Sequence, residues 1–528
     1  MWKVVSITIV AMVILLCIAV IVNSEKVRTR VRRASYRMIG APSNQIAIKP
    51  STHQVSRRAA GPLQRNCARS RYFSDPNGQP VLLVGNHTWY TLQDGGRHDP
   101  PSAFDYEKYL QFLQANGVNF FRMFVWEQSK WSEGVDEAYF YSPSAYERTG
   151  PGTALDGKPK FDLTKFNQAY FGRLRERVTA AGSSGVYVSI QLFQGFSVQA
   201  KPFMAANNPW FGHPFHRDNN INGIDGDANG NGEGEEIQTL LIPAITTLQE
   251  EYVGKVIDAV NDLANVLYEI CNEAHGDSQE WQEHFIRYVH SYEAQKPKQH
   301  PVGMTVEFPG GNNDELFNSS ADWVSPNAEG GYDSDPPAAA GGKVVINDTD
   351  HLCYPCGDRE WMWKSFLRGY NPAFMDPYDC TADWSPSGCD PNDPVWVSLR
   401  ANLGYAQGYA RRMNLGAMAP YPDLASTRYC LANPAGTDGA YLIYLPAGRT
   451  LRSVLHSIGV RKNVDIYLPP DGYVRVDLSA TSGELSSEWF HPRTGRILNG
   501  DKIIGGAARD FKSPFVGDAV LYLYCNRR

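Results

Sequence analysis

Val266-Leu-Tyr-Glu-Ile-Cys-Asn-Glu-Ala-His275 is the stretch on which the fold turns. Its apolar run, rich in β-branched and aromatic residues, predicts a buried strand. It closes on Asn272-Glu273, which sets an amide and a carboxylate at the rim of a sheet. In parallel α/β folds the working residues gather at that end of the strands. Glu273 then needs a barrel around it and a second carboxylate across from it.

The same texture recurs on both sides. Further strands are predicted over residues 81–86, 118–126, 186–193, 301–308, 321–327, 343–350 and 414–421. Helical patterns separate most of them, over residues 104–116, 164–182, 237–265, 280–294 and 394–413. Gly117 and Gly182 stop helices just ahead of strands. Eight strands, most of them trailed by a helix, predict an α/β fold of the (β/α)8 TIM-barrel type over residues 66–425. A doubly wound sheet is the alternative, and the count favours the barrel. Beyond Tyr421, runs such as Tyr441–Leu445 and Ala519–Tyr524 are short, alternating and split by Pro, Gly and Asp. They predict a small antiparallel β-sandwich over residues 426–528. Ahead of the barrel, residues 71–80 read as a hairpin turning at Asn77-Gly78.

The net charge of −6 over 528 residues does not suggest a nucleic-acid partner. Val4–Val22 is almost wholly apolar, so residues 1–24 read as a signal peptide or membrane anchor. Residues 25–65 are basic and aperiodic, a disordered linker. Cys353 with Cys356 and Cys380 with Cys389 fall at short spacing, and Cys430 and Cys525 bracket the C-terminal segment. That usage suits disulfides, hence a secreted or membrane-anchored, extracytoplasmic protein. Cys353 and Cys356 as half a zinc site is the weaker reading, because no second ligand pair follows.

Polar groups collect at the strand ends: Asn86 and His87, then Arg122, Trp126 and Glu127, then Gln191 and Gln194, then Asn272 and Glu273, then Glu307, then Asn327, then Asp348, Asp350 and His351. Singly, each has a plainer explanation as a helix cap or a solvated loop residue. Their convergence at one rim favours a site. Glycosidic hydrolysis needs one carboxyl group to protonate the departing oxygen and another to attack the sugar or activate water. Strands four and seven face each other across a barrel mouth, so Glu273 and an acid on strand seven can flank a sugar ring. Arg122 can keep that acid ionised, and Asn272 can hold a sugar hydroxyl.

These motifs resemble clan A (β/α)8 glycoside hydrolases. The nearest likeness is to the apiosidase-like group, glycoside hydrolase family 140 and its relatives. The resembling pieces are residues 71–86, Asn119-Phe-Phe-Arg122, Tyr268–Glu273 and, near the C-terminus, Trp489-Phe-His-Pro-Arg-Thr-Gly495. The last resembles a small domain named for collagen binding that is often fused to such barrels. The resemblance implies a retaining glycosidase with Glu273 as acid/base. It also implies a Glu nucleophile on strand seven, where this chain has Asp348 and Asp350. By alternation both point the same way, so either can serve. Asn272, Arg122, Asn86, His87, Trp126, Glu127, Glu307 and His351 are the expected substrate-binding set. The rival expectation is a barrel kept as a non-catalytic carbohydrate- or matrix-binding scaffold.

One further motif stands apart. Asp225-Gly-Asp-Ala-Asn-Gly-Asn-Gly-Glu-Gly-Glu-Glu236 fits a twelve-residue calcium loop. Asp225, Asp227, Asn229, Asn231, Glu233 and Glu236 are the candidate ligands, for a structural Ca2+ with no catalytic part. A flexible acidic loop is the alternative.

Overall fold

The computed structural model describes residues 61–65, 71–131, 139–198, 208–353, 356–378, 390–435, 439–447, 449–450, 467–468 and 472–525. The predicted signal peptide or anchor and most of the predicted linker lie outside these residues. Among the described residues no helix is long and apolar enough to cross a membrane.

Eight parallel strands close into a barrel. In chain order they are Gly85–His87, Phe120–Met123, Tyr187–Gln194, Val266–Asn272, Val302–Thr305, Trp323–Ser325, Val344–Asp348 and Asn371–Met375. They are called strands one to eight below. The hairpin before them forms as expected, Phe73–Ser74 pairing with Pro80–Val81.

The eighth strand is a correction. The expected strand over residues 414–421 belongs to the C-terminal sheet, where Ala419–Pro420 pairs with the strand Cys430–Asn433. Barrel closure falls instead to Asn371–Met375, which bonds strand seven on one side and strand one on the other. Its single Pro372 and five-residue length hid it. Helix starts also moved. The helix expected from Ile237 begins at Pro243, because proline lacks an N–H and suits the first turn. The helix expected from Thr164 begins at Gln168, since Pro159–Phe166 pairs with Tyr146–Thr153 as a rim hairpin.

The lower barrel is filled by Leu83, Phe120, Tyr187, Leu267, Trp323, Val344, Ile346 and Ala373, with Leu63 and Phe73 beneath. Burial of such side chains is the main driving force, about 1.5–3 kcal/mol for each large one. Gly303 makes room for the Trp323 indole. A Cβ at Gly303 would sit 1.8 Å from the ring. Above this plug the inward residues turn polar, and the site begins.

The C-terminal part is antiparallel. A seven-stranded sheet carries a two-stranded ribbon, Tyr473–Asp477 with Ala508–Lys512, on one face. Val474, Val476 and Phe511 pack there against Ile443, Leu521 and Leu523. The opposite face supplies Leu442, Tyr444, Phe490 and Tyr522 to the same core as the barrel helices. Polar ties close that seam. Arg359 grips Asp518 with Nε 2.7 Å from Oδ2, and Glu488 takes Tyr409 Oη at 2.7 Å and Arg412. Cys353 and Cys356 are joined as a disulfide, Cys430 is a buried thiol, and Cys380 and Cys389 lie outside the described residues.

Candidate active site

Arg122 is the centre of the upper barrel and is fully buried. A guanidinium has five N–H donors, and here each finds an acceptor. Nε and Nη2 clasp Glu269 at 2.8 and 2.6 Å. Nη1 donates to Asp348 at 3.2 Å and to Asp350 at 2.8 Å. Nη2 also donates to Asn272 Oδ1 at 2.5 Å. One strand-two side chain thus ties strand four to strand seven. Burial by itself would lower the guanidinium's pKa, but the three carboxylates outweigh it and hold Arg122 charged.

Asp348 closes strand seven with no exposed surface. His87 Nε2 lies 2.9 Å from its Oδ1, and the Asp350 N–H donates to that oxygen at 3.0 Å. The second contact corrects the expectation of simple alternation. The strand stops at Asp348 and a helical turn, Thr349–Cys353, follows at once. Asp350 reaches Arg122 from that turn, which Asp348 caps. Burial favours protonation of Asp348, yet His87 and Arg122 more than offset it and hold the carboxyl below the usual range. Asp350 moves the other way. Burial raises it, Arg122 opposes, and the neighbouring Asp348 charge adds to the rise. Its side chain is 10% exposed where that of Asp348 is 0%, so of the two it is the one that solvent touches.

Asn272 is held at every polar atom but one hydrogen. Its Oδ1 accepts from Arg122 and from His351 Nε2, 3.1 Å away, and its Nδ2 donates to Gln194 Oε1 at 3.1 Å. Ser325 Oγ sits 2.7 Å from His351 Nδ1. Because Asn272 Oδ1 can only accept, Nε2 carries the His351 proton and Ser325 donates to Nδ1. Burial first, then the Arg122 charge, push the His351 pKa well down, which suits that neutral tautomer.

Glu273 follows in the left-handed region, φ +46°. A side chain there costs roughly 1–2 kcal/mol. Two contacts enforce it. Thr305 Oγ1 accepts the Glu273 N–H at 3.2 Å and donates to the Cys271 carbonyl at 2.8 Å. Gly195 lies against the Glu273 carbonyl so closely that a Cβ would fall 1.8 Å from the oxygen. Gly195→Ala is therefore expected to push the Glu273 turn out of place. The expected cost is about 1–3 kcal/mol of stability from overpacking. Urea melts of the two proteins check this, and an unchanged midpoint in the Gly195→Ala variant would refute the enforced turn.

Other expected site residues are placed elsewhere. Asn86 turns away from the cluster and donates to Asp376 Oδ2 at 2.6 Å, itself bound to Arg400. Strand alternation explains it: with His87 inward, its neighbour faces out. Trp126 is packed against Tyr141 and Trp131, ring centroids 5.0 and 5.8 Å away, and donates to the Trp89 carbonyl. Glu127 accepts the Gln194 N–H at 2.8 Å and meets His213 at 3.4 Å. Glu307 is turned onto the start of the helix Gln279–Glu293, 3.0 Å from Ser278 Oγ. Burial raises its carboxyl to about 7. A folded pKa above the unfolded one means stability is full below the unfolded value near 4.5 and declines as pH rises through about 7. Glu307→Gln is expected to remove that decline, as urea melts between about pH 5 and 8 would show. Equal slopes in both proteins would refute it.

Glu269, Thr305 and Ser325 complete the site with Gln194 from the end of strand three, and those three were not among the expected residues. Glu269 carried a signal: an acid inside an apolar strand, three residues before Asn272. Burial raises its pKa against the pull of Arg122. Spacing alone did not reveal Thr305 or Ser325.

Comparison with known proteins agrees with this architecture. A domain of unknown function, DUF6298, matches residues 130–308, from the rim after strand two to the end of strand five. A family 5 glycoside hydrolase from Bacteroides vulgatus superposes with a TM-score of 0.52 at 14% identity, covering 88% of this chain and 93% of that one. A second structure, named as a glycoside hydrolase, does so with a TM-score of 0.52 at 13% identity, covering 89% and 98%. Such identities establish the fold alone, an eight-stranded (β/α)8 barrel with a C-terminal antiparallel sheet. No curated protein matches the sequence.

Proposed function

We propose that this chain hydrolyses O-glycosidic bonds in a polysaccharide or glycan. The observation that carries the proposal is the single bridge at Arg122. It ties Asn272, next to a conformationally forced Glu273, to Asp348 at the end of strand seven and to Asp350 in the turn that follows. Glu273 protonates the departing oxygen and then activates water. Asp350 is the facing carboxylate that attacks the sugar carbon, with retention. Asp348, wholly buried and saturated with partners, positions Asp350 and its charge. The Asn272 amide keeps one N–H for a sugar hydroxyl. The fold shared with the two glycoside hydrolases supports the reading. The motifs at residues 71–86 and 489–495 support the finer assignment to the apiosidase-like group. The C-terminal sheet, whose one face is spent on the barrel helices, serves as a brace rather than a collagen grip.

The specific observation favouring the rival, a carbohydrate-binding scaffold, is the full burial of Asp348. A broad panel of plant, microbial and animal glycans separates the two. Release of new reducing ends by the wild type, lost in Asp350→Asn, is the expected result. Binding without release by the wild type across the panel would overturn the enzyme.

A further inference from the structure

Between the barrel wall and its helices lies a partly open cavity of about 30 Å³, walled mainly by aromatic rings and by one carboxylate, Glu127. Distant parts of the chain build it. Tyr146 comes from the rim hairpin, Tyr170 from the helix Gln168–Ser183, Phe193 from strand three and Tyr252 from the helix Pro243–Val260. Phe215 packs on Tyr146 with ring centroids 6.0 Å apart, and Phe193 meets Tyr252 at 5.8 Å. The Tyr170 and Tyr252 hydroxyls are 3.0 Å apart. A space of this size takes about two water-sized groups.

The Glu127 side chain is only 14% exposed, and its partners are neutral. Oε2 accepts the Gln194 N–H at 2.8 Å, and Oε1 lies 3.4 Å from His213 Nε2. His213 Nδ1 accepts the Phe215 N–H at 3.0 Å, so the proton sits on Nε2 and the ring carries no charge. Among the described residues no lysine or arginine lines the cavity or pairs with Glu127. Gln249, on the same wall, has both amide atoms engaged, with the Ile237 carbonyl at 2.8 Å and the Trp281 indole at 3.0 Å. The negative charge reaches the rings. Burial first, with the Glu127 charge among the lesser causes, raises the phenols of Tyr146, Tyr170 and Tyr252. A carboxylate kept from water without a cation is costly, and aromatic faces attract cations.

We propose that this cavity binds the ammonium head of a small amine. Glu127 supplies the opposite charge and accepts an N–H, while the rings give the cation a polarisable wall. The size admits an amine of two heavy atoms, such as methylammonium, and excludes a sugar ring. One carboxylate among aromatic rings offers too few oxygens for the shell of a hard metal ion. The place is also informative. Glu127 holds the Gln194 N–H, and Gln194 Oε1 accepts from Asn272 Nδ2 at 3.1 Å. The bound ammonium is therefore linked through Gln194 to Asn272. An effect on turnover rests on the proposed activity, whereas binding itself does not.

The test titrates the full chain with methylammonium chloride, at an ionic strength held constant with sodium chloride, and follows the methyl resonance by saturation-transfer NMR. So small a ligand binds at best in the millimolar range, and a saturable site with a dissociation constant of about 10 mM is expected. Methanol has the same shape without the charge, and is expected to bind at least about tenfold more weakly. In Glu127→Gln the amide oxygen can still accept the Gln194 N–H, so the wall keeps its shape. Affinity for methylammonium is expected to fall at least about tenfold there, with urea melts confirming that the variant is folded. If the variant does not fold, the comparison of methylammonium with methanol on the wild type decides. No saturable binding of methylammonium, equal binding of methanol, or undiminished affinity in folded Glu127→Gln would each overturn the site.

Discussion

Glu273→Gln is expected to lower kcat/KM on an unactivated oligosaccharide by about 10²–10⁴-fold, the usual contribution of a positioned general acid. Glutamine has the same shape and nearly the same cost at φ +46°, so Gly195 and Thr305 hold the variant turn as before. Asn272 keeps its three partners, so substrate binding and KM should change little. What is lost is the proton delivered to the departing oxygen. An aryl glycoside with an acidic phenol leaves without that proton, so the glycosylation step with it should be spared. The paired measurement is decisive. Equal activity of variant and wild type on the oligosaccharide, or an unchanged ratio between the two substrates, would remove Glu273 from the acid role.

Arg122→Met is expected to cost about 3–5 kcal/mol of stability, the penalty for stripping the partner from a buried charge, and to abolish turnover. The size follows from the number of groups it serves. Glu269 and Asp348 are both fully buried, and Asp350 nearly so. Without the guanidinium they keep their desolvation and their mutual repulsion, and their pKa values rise. The native state then holds more protons than the unfolded state at intermediate pH, so stability falls as pH increases. Urea midpoints at about pH 5 and 8 should therefore diverge more in the variant than in the wild type. Arg122→Lys should recover only part of the loss, because one ammonium cannot reach acceptors spread over two strands as the planar fork does. Adding Glu269→Gln to Arg122→Met should relieve some of the damage, the coupling expected of groups in contact. Wild-type stability of the Arg122→Met variant at neutral pH would sink this account of the cluster.

The legible part of the site was what local pattern reveals. Val266–Asn272 reads as a strand because its apolar run is unbroken, and Glu273 lies past its end. His87, Arg122 and Asp350 were found as polar groups at strand ends. Asn86 and Glu307 were found by the same rule and face elsewhere. Position along a strand says which rim a residue is near, while the side it faces depends on pleat and register. The eighth strand escaped because five residues with an internal proline carry too little periodicity. Its assignment comes from pairing with strands seven and one.

Hydrophobic periodicity and turn chemistry are local in the chain, and they were enough for the fold class and for seven of the eight barrel strands. Strands trailed by helices, a separate antiparallel part and an Asn-Glu pair at the mouth could all be read from neighbouring residues. Three other features could not: Glu269 holding the guanidinium, Asp348 sealed while Asp350 keeps some contact with solvent, and Thr305 with Gly195 forcing the Glu273 turn. Each of these depends on groups separated by tens to hundreds of residues, brought within hydrogen-bond range only when the barrel closes. Charge pairing and desolvation act across those few ångströms of space, whatever the separation along the chain.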